Sequence, residues 1–431
     1  MRRPYSNVQP ARSSRTPVRS SERLLEVQVH QLDRDRGLIA RVSDMAVHQK
    51  ALPVVASSTF VTAWTVLWAW HMWPSSGLSW HFSVDGARLL LHGSGLNLYA
   101  DAPWLQTGPL SLVVAALLRP LPANVGKGVA LVAMTAAGPL LIAALTPLVA
   151  PAGRHRRMFI AAIVLIPAWT VLSVRWWHLD DVLAIVFAIV ALRAVSADRP
   201  VLAGVALGAA VAAKPWAVGF VLLLLVLPRG RLRAAAAAAA VTALAWAPFV
   251  LANPRTLGAL HPPVGLSPAS GLHALGVRGV MVPAWGRTAQ LLLSPAAAAA
   301  AVLSRGLPGV LLVSVAVRLA LDPKDNAYYI GSAALAAVVF DLLGTSWTIP
   351  WTTMATIIVF WQPFTRNFAH WQQSTTGLTH WWFAHQEQIG AVHLAWAVAV
   401  VALVFAVSQR PSRKTTALSE VPENPEGPES F

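Results

Sequence analysis

The sequence of 431 residues lacks cysteine altogether and carries few charged residues. Without cysteine, disulfides and thiolate metal sites are excluded. Asp, Glu, Lys and Arg make up 12% of the chain, whereas about 25% is typical of soluble domains. The motifs of P-loop nucleotide hydrolases, nucleophile-elbow serine hydrolases and zinc proteases are missing as well. These absences speak against an ordinary soluble domain and against three common enzyme classes.

Apolar residues dominate the chain instead. They form 56% of the sequence, and the mean hydropathy is +0.56. Apolar stretches of about 15 to 23 residues recur along the chain, and about 20 residues cross a bilayer as a helix. Because backbone groups in lipid must be satisfied within their own segment, these stretches should be helices. The predicted fold class is all-α, a polytopic transmembrane helical bundle of about 10 to 13 spans.

The distribution of charge predicts an orientation. The net charge is +15, and Lys and Arg concentrate in both tails and in short connections such as RHRR (154–157) and RGRLR (229–233). Cytoplasmic segments are enriched in Lys and Arg, so both termini of this multi-pass cell-membrane protein are predicted to be cytoplasmic. No basic face or aromatic platform accompanies the charge, so nucleic acid is not expected as a partner. The predicted organisation is a largely disordered cytoplasmic segment 1–50, a membrane domain 51–409 and a cytoplasmic tail 410–431.

One predicted external segment, residues 80–110, collects polar side chains. A helix from 80 to 92 would place four of them on one face, at spacings of four, three and four: His81, Asp85, Arg88 and His92. The carboxylate of Asp85, near cations and beside the bilayer, is a candidate general base toward a hydroxyl. Two alternatives remain, namely an ordinary ion pair of Asp85 with Arg88 or His81, and a divalent metal held by His81 and Asp85.

Three stretches of the chain resemble a known family. They are VDGARLLLHGSGLNLYADAPWLQTGPL (84–110), RWWHLDDVLAIVFAIVALRAVSADRPVLAGVALGAAVAAKPWAVGF (175–220) and LDPKDNAYYIGSAALAAVVFD (321–341). In this order they are similar to the first external loop, a polar turn with its following helices, and a later segment of the actinobacterial GT-C superfamily of multispanning glycosyltransferases. That group includes mannosyltransferases that depend on polyprenyl-phosphate mannose.

The resemblance implies a GT-C-like fold with an extracytoplasmic first loop. It also implies a transferase that moves a sugar, mannose or arabinose, from a polyprenyl-phosphate donor to an envelope glycan or glycolipid acceptor outside the cytoplasm. In the family, an aspartate of the first loop deprotonates the acceptor hydroxyl, and the matching residue here is Asp85. No cofactor is required, although the use of a divalent metal stays open. The expected partners are membrane lipids, the polyprenyl-phosphate-linked sugar and the acceptor.

Cations are the candidates for binding the donor phosphate: Arg88, Arg175, His178 and Lys214. Lys214 precedes Pro215, and the residue before a proline is disfavoured in a helix, so it marks a break between two short helices. Lys214 could instead be a snorkelling side chain, and Asp180 an ordinary helix N-cap. Possible supporting residues complete the predicted site, to which no metal ligand is assigned: His81, Tyr99, Asp101, Gln106, Asp180 and Asp181.

Two other classes of function stay open. A transporter or flippase of a lipid-linked glycan would have the same hydropathy, and paired repeats with interrupted helices would favour it. A non-catalytic envelope membrane protein would tolerate replacement of Asp85. Interrupted helices are predicted here but no internal repeat is evident, so the transferase is the favoured interpretation.

Overall fold

The described part of the chain comprises residues 56–363 and 377–407 of a computed structural model. The predicted segment 1–50 and tail 410–431 lie outside these residues. The chain divides into two compact units, Met1–Thr59 and Phe60–Phe431. Of the first unit, residues 56–59 are described and are helical.

The second unit is built of helices, and in its described residues the one β feature is an isolated antiparallel bridge between Gly265 and Met281. The predicted all-α class is therefore confirmed for this part of the chain. The α-helices are α1 (residues 60–72), α2 (Trp80–His92), α3 (Leu98–Asp101), α4 (Pro109–Leu117), α5 (Ala123–Leu145), α6 (Arg154–Thr170), α7 (Leu179–Ser196), α8 (Pro200–Ala213), α9 (Arg231–Ala252), α10 (Gly271–Ala274), α11 (Trp285–Arg305), α12 (Val310–Ala320), α13 (Tyr329–Gly344), α14 (Trp351–Phe360), α15 (Gly377–Ala384) and α16 (Gln386–Ala406).

Several of these helices have the length and composition of membrane spans, which indicates a membrane protein. Four are long and apolar enough to cross a bilayer: Ala123–Leu148, Arg154–Trp176, Arg231–Ala252 and Gln386–Ala406. Five shorter apolar helices of 10–17 residues accompany them: Pro200–Ala213, Pro215–Val226, Leu307–Ala320, Tyr329–Gly344 and Trp351–Phe360. The segment Pro215–Val226 is a 3₁₀-helix. The predicted count of 10 to 13 spans stays a prediction.

Burial separates the central helices from the peripheral ones. Helix α13 is buried continuously from Tyr329 to Leu342. Helix α9, in contrast, exposes large apolar side chains, namely Leu232 (87%), Leu244 (76%) and Leu251 (83%). Large apolar side chains exposed to this extent along one helix are what a lipid-covered surface would present.

Helix α8 is held close to α9 by two glycines four residues apart. A Cβ atom on Gly204 would lie 2.1 Å from the carbonyl oxygen of Ala234, and one on Gly208 would lie 2.6 Å from that of Ala238. Small residues at this spacing allow two helix backbones to approach closely. The contact fixes the axis of α8 and therefore the position of its C-terminal end, where Lys214 follows.

Candidate functional site

The backbone between α6 and α7 is unusual. Helix α6 continues as a π-helix over Val171–Trp176, and Trp177 then adopts a left-handed conformation with φ of 52°. Such π-helical turns are rare and frequent at functional sites, and a non-glycine residue in the left-handed region costs about 1–3 kcal/mol. Trp177 is buried and packs edge-on against Trp80, with ring centroids 5.3 Å apart. The fold thus holds a strained turn directly before His178.

This turn brings together four side chains, which we call the buried tetrad: His178, Asp180, Asp181 and Lys214. The Nδ1 atom of His178 lies 2.8 Å from Oδ1 of Asp180 and 2.9 Å from Oδ2 of Asp181. The Nζ atom of Lys214 contacts Oδ2 of Asp180 and lies 3.7 Å from Oδ2 of Asp181. Trp216 Nε1 donates to Oδ1 of Asp181 over 2.9 Å. The tetrad therefore ties the start of α7 to the end of α8.

The charges of the tetrad support one another. Burial opposes ionisation of Asp180, but Lys214 and then His178 outweigh it and hold the pKa of that carboxyl below its usual range. Burial alone would lower the pKa of His178, yet the carboxylates of Asp180 and Asp181 raise it above its usual value. Both groups are therefore driven toward their charged forms.

Three predictions concern this region. The N-cap role of Asp180 and the snorkelling of Lys214 were wrong, and the helix break at Lys214 is confirmed. The N-cap position of α7 is occupied by His178, so Asp180 is not the cap; it lies in the first turn, where its Oδ1 accepts from the N–H of Asp181 over 2.9 Å. Lys214 does not snorkel, because its side chain is only 11% exposed and is paired. The predicted helix break is present, since Lys214 is extended, with φ of −151° and ψ of 115°.

The same side chains have the donor atoms of a metal site. His178, Asp180 and Asp181 offer ligand atoms that all lie within 4.8 Å of one another. The ammonium group of Lys214, however, already lies against both carboxylates. A cation of the protein itself thus already pairs with both carboxylates that a metal ion would use.

A further buried carboxylate, Asp322, lies beside two arginines. Its Oδ2 lies 3.4 Å from Nη2 of Arg318 and 3.9 Å from Nη1 of Arg287. Gln290 Nε2 donates to the same oxygen over 3.3 Å, and the Tyr329 hydroxyl donates to Oδ1 over 3.1 Å. Asp322 thus fixes the arginines as Asp180 and Asp181 fix Lys214.

Side chains of the buried tetrad and of the cluster around Asp322 line one pocket of about 90 Å³. This volume accommodates several water molecules or a small polar group. Three cations line the pocket, namely Lys214, Arg287 and Arg318. Its wall also contains five aromatic side chains: Tyr99, Trp216, Trp246, Tyr328 and Tyr329.

The arginines of the pocket have unfilled hydrogen-bond donors. Nε and Nη1 of Arg318 and Nε of Arg287 are buried and have no hydrogen-bond partner among the described residues. The guanidinium carbon of Arg318 lies 4.6 Å and 4.3 Å from the ring centroids of Trp216 and Tyr329. Leaving buried donors of a charged group unpaired is costly. Guanidinium groups pair best with carboxylate and phosphate oxygens, so this geometry indicates an anionic ligand.

Some predicted site residues belong to this pocket and others do not. Tyr99, Gln106 and Lys214 line it. His178 does not line the pocket itself. Its ring stacks on that of Tyr328, a lining residue, with centroids 3.6 Å apart. Arg175 is buried and Asp101 is exposed, and neither lines the pocket.

Helix α2 carries the predicted base outside the pocket. Its bounds, Trp80–His92, are as predicted. Nη1 of Arg88 lies 3.8 Å from Oδ1 of Asp85, with side chains 65% and 43% exposed, so the alternative of an ordinary ion pair is present. His81 is exposed, and none of these three residues lines the pocket. The roles of Asp85 as base and of Arg88 as phosphate ligand stay predictions.

Arg287 and Arg318, with Gln290 and Asp322, are not among the site residues predicted from the sequence. Arg318 stands in the apolar run VLLVSVAVRLAL, and an ionisable residue in such a run is itself a signal of function. Asp322 follows it at the i+4 position, within reach along one helix face. Arg287 and Gln290, in contrast, look like ordinary polar residues near the start of α11. No local pattern marks those two residues.

The described residues of the second unit thus define an all-α protein with apolar helices and a cation-lined pocket. Comparison of the chain with protein-family models, with curated proteins and with solved structures found no match. The function has therefore to be argued from the site.

Proposed function

We propose that the protein is a GT-C-like glycosyltransferase of the cell membrane, with several spans and both termini in the cytoplasm. It moves mannose or arabinose from a polyprenyl-phosphate donor to an envelope glycan or glycolipid on the extracytoplasmic side. One observation carries the proposal: three cations line a single pocket in which buried arginine N–H groups have no partner. The phosphodiester of such a donor supplies the anionic oxygens that these groups need.

The pocket also suits the leaving group of the reaction. During transfer, the acceptor oxygen forms a bond to the anomeric carbon of the sugar while the bond from that carbon to the phosphate oxygen breaks. Polyprenyl phosphate leaves with more negative charge than the diester had. Cations that are fixed before the reaction stabilise such developing charge without reorganising. Asp180, Asp181 and Asp322 supply that fixation, because they anchor Lys214, Arg287 and Arg318.

Asp85 is the proposed base, which takes the proton of the acceptor hydroxyl. Its side chain is 43% exposed, so an acceptor can reach it. Helix α2 packs on α4, which packs in turn on α8, the helix that precedes Lys214. The acceptor in this proposal therefore approaches from the α2 side, toward a donor phosphate held beside Lys214 at the C-terminal end of α8.

The test uses the full chain in liposomes with radiolabelled polyprenyl-phosphate mannose or arabinose and an envelope lipid extract as acceptor. Transfer of label to the acceptor is expected only when the protein is present. Arg318→Lys keeps the positive charge beside Asp322 but lacks the planar fork of donors, so the KM for the donor should rise about 10- to 100-fold. Lys214→Ala should also weaken donor use.

Arg278→Lys is the matched control, because Arg278 is exposed and donates to the carbonyl oxygen of His273. It should leave the KM for the donor unchanged. If the labelled lipid crosses the bilayer intact without transfer, the protein is a transporter. If neither donor binds, the pocket serves another anion and the transferase proposal is rejected.

A further inference from the structure

Tyr328 lines the same pocket as the three cations, but the proposed transfer gives its hydroxyl group no role. A tyrosine hydroxyl has one hydrogen to donate and an oxygen that accepts. The groups around the hydroxyl set the direction of that hydrogen. They belong to the segment that joins α12 to α13, and they form a short chain of hydrogen bonds that begins at Asp322.

Asp322 receives hydrogen bonds on both oxygens of its carboxylate. Oδ1 accepts from the backbone N–H of Lys324 over 3.0 Å, and Oδ2 accepts from Nε2 of Gln290 over 3.3 Å. A carboxylate has no hydrogen to give. The hydroxyl of Tyr329, which lies 3.1 Å from Oδ1, therefore donates its single hydrogen to Asp322.

Asn326 connects this hydrogen bond to Tyr328. Its Nδ2 atom lies 3.0 Å from the hydroxyl oxygen of Tyr329 and 3.2 Å from that of Tyr328. The hydrogen of Tyr329 already points at Asp322, so the atom of Asn326 that faces Tyr329 has to be a donor. This requirement assigns the amide nitrogen, and not the amide oxygen, to that position. The same nitrogen gives its second hydrogen to the oxygen of Tyr328.

The hydrogen of Tyr328 therefore points away from Asn326, because an amide nitrogen cannot accept. In residues 56–363 and 377–407, the one hydrogen bond of this hydroxyl is that from Asn326, so its hydrogen has no acceptor there. The same holds for the Nε and Nη1 donors of Arg318 in this pocket. The pocket thus presents donors of two kinds, guanidinium and phenol, to one ligand.

The ring of Tyr328 is held in place by its neighbours. The imidazole of His178 stacks on it with centroids 3.6 Å apart. Trp176 and Tyr329 contact it edge-on, with centroid distances of 5.6 Å and 4.8 Å. Together with the hydrogen bond from Asn326, these contacts fix the hydroxyl before a ligand arrives. A donor that is fixed in advance stabilises negative charge without reorganising.

We propose that Tyr328 is a ligand-binding residue, whose O–H donates to a phosphate oxygen of the lipid-linked sugar while Nε and Nη1 of Arg318 bind the same group. The identity of this ligand rests on the proposed function, whereas the role of Tyr328 as a donor to an anion does not. The phenol supplies a directed hydrogen bond but no charge, so it orients the phosphate that the cations attract.

Tyr328→Phe tests this role, because it removes the hydroxyl oxygen and keeps the stacked ring. Binding of polyprenyl-phosphate mannose and of inorganic phosphate is measured with the full chain in lipid nanodiscs. The Kd for both probes should rise about 10- to 100-fold, because a hydrogen bond to a charged group is lost. The matched control is Ser304→Ala in α11, where the hydroxyl donates to the carbonyl oxygen of Ala300 outside the pocket. It should leave both Kd values unchanged.

Replacement of Tyr328 by 3-fluorotyrosine distinguishes a donor from an acceptor. Fluorine makes the hydroxyl more acidic and therefore a stronger donor, and mildly acidic buffer keeps the phenol neutral. The Kd for both probes should then fall below that of the wild type. A hydroxyl that only accepts from Asn326 would bind the probes no better after fluorination. That result, or an unchanged Kd in Tyr328→Phe, overturns the proposal. If Tyr328→Phe does not fold, the fluorinated protein decides alone.

The two probes also separate this proposal from the proposed function. If inorganic phosphate binds with the expected dependence on Tyr328 but polyprenyl-phosphate mannose does not bind, the proposed function fails and the role of Tyr328 stands. If the sugar is transferred and the Kd for the donor is the same in wild type and Tyr328→Phe, the role of Tyr328 fails and the function stands. If neither probe binds the wild-type protein, both proposals fail.

Discussion

Two regions of the molecule carry histidine and aspartate within one or two helical turns, and they differ in almost everything else. On α2, Asp85 and Arg88 lie 3.8 Å apart with side chains 43% and 65% exposed. In the buried tetrad, the imidazole lies 2.8 Å and 2.9 Å from two carboxylates whose side chains are 4% and 1% exposed. The partners on α2 come from one helix, whereas Lys214 reaches Asp180 from 34 residues away.

The two regions match two different requirements of the proposed transfer reaction. A base has to meet the hydroxyl of an incoming acceptor, so partial exposure suits it. A group that holds a phosphate has to be fixed in advance and shielded from water, so burial with firm partners suits it. The α2 face is accessible but loosely organised, whereas the tetrad is buried and firmly paired, with Lys214 in the pocket wall. We therefore expect substitutions in the two regions to fail in different ways.

The largest expected effect is on turnover and comes from the exposed region. Under the proposed function, Asp85→Asn should lower kcat for transfer by about 10²- to 10⁴-fold, because the acceptor hydroxyl would lose its proposed base. Membrane insertion and thermal unfolding should stay those of the wild type, since the pair with Arg88 is exposed and weak. Transfer assays and unfolding in detergent on the same preparation check both parts. Full activity of Asp85→Asn would show that the polar face of α2 is only a solvated surface with no part in transfer.

The next effect is on stability and comes from the buried region. Asp181→Asn keeps an acceptor for Trp216 but leaves Lys214 and His178 without one of their two counter-charges. Removing one member of a buried ion network typically lowers the free energy of unfolding by about 3–5 kcal/mol. Chemical denaturation in detergent measures this loss. Asp85→Asn serves as the reference and should change the same free energy by less than about 1 kcal/mol. If Asp181→Asn and Asp85→Asn lower the free energy of unfolding equally, the two regions do not differ in how strongly their ion pairs stabilise the fold.

The smallest effect is a dependence on pH. The pKa of His178 is raised in the folded state, so its stabilising contribution is complete below the unfolded value of about 6.5 and disappears as pH rises through the folded value. Over this pH range the free energy of unfolding should therefore fall by about 1.4 kcal/mol for each unit by which folding raises the pKa of His178. His178→Gln should abolish this slope. His81→Gln, on the exposed face of α2, should retain it, and loss of the slope there would place the titrating group on α2.

Local patterns predicted local features well. The helix Trp80–His92 is present with its predicted bounds, because the apolar and polar residues there follow the helical period. The break at Lys214 is present as well, because the constraint imposed by Pro215 acts on its immediate neighbour. The N-cap role suggested for Asp180 was wrong, because α7 begins at Leu179 with His178 in the N-cap position, two residues earlier than that role requires.

The membrane character, the helical class and the candidate residues near 85, 178 and 214 follow from composition and short-range spacing, which are properties of the chain read in order. The pocket is different, because Tyr99, Lys214, Arg287 and Arg318 meet only when four distant segments pack together. The strength of an interaction between charges depends on the distance and on the medium that separates them. Packing sets both quantities, so the folded arrangement alone distinguishes a weak surface pair from a buried network that can bind an anion.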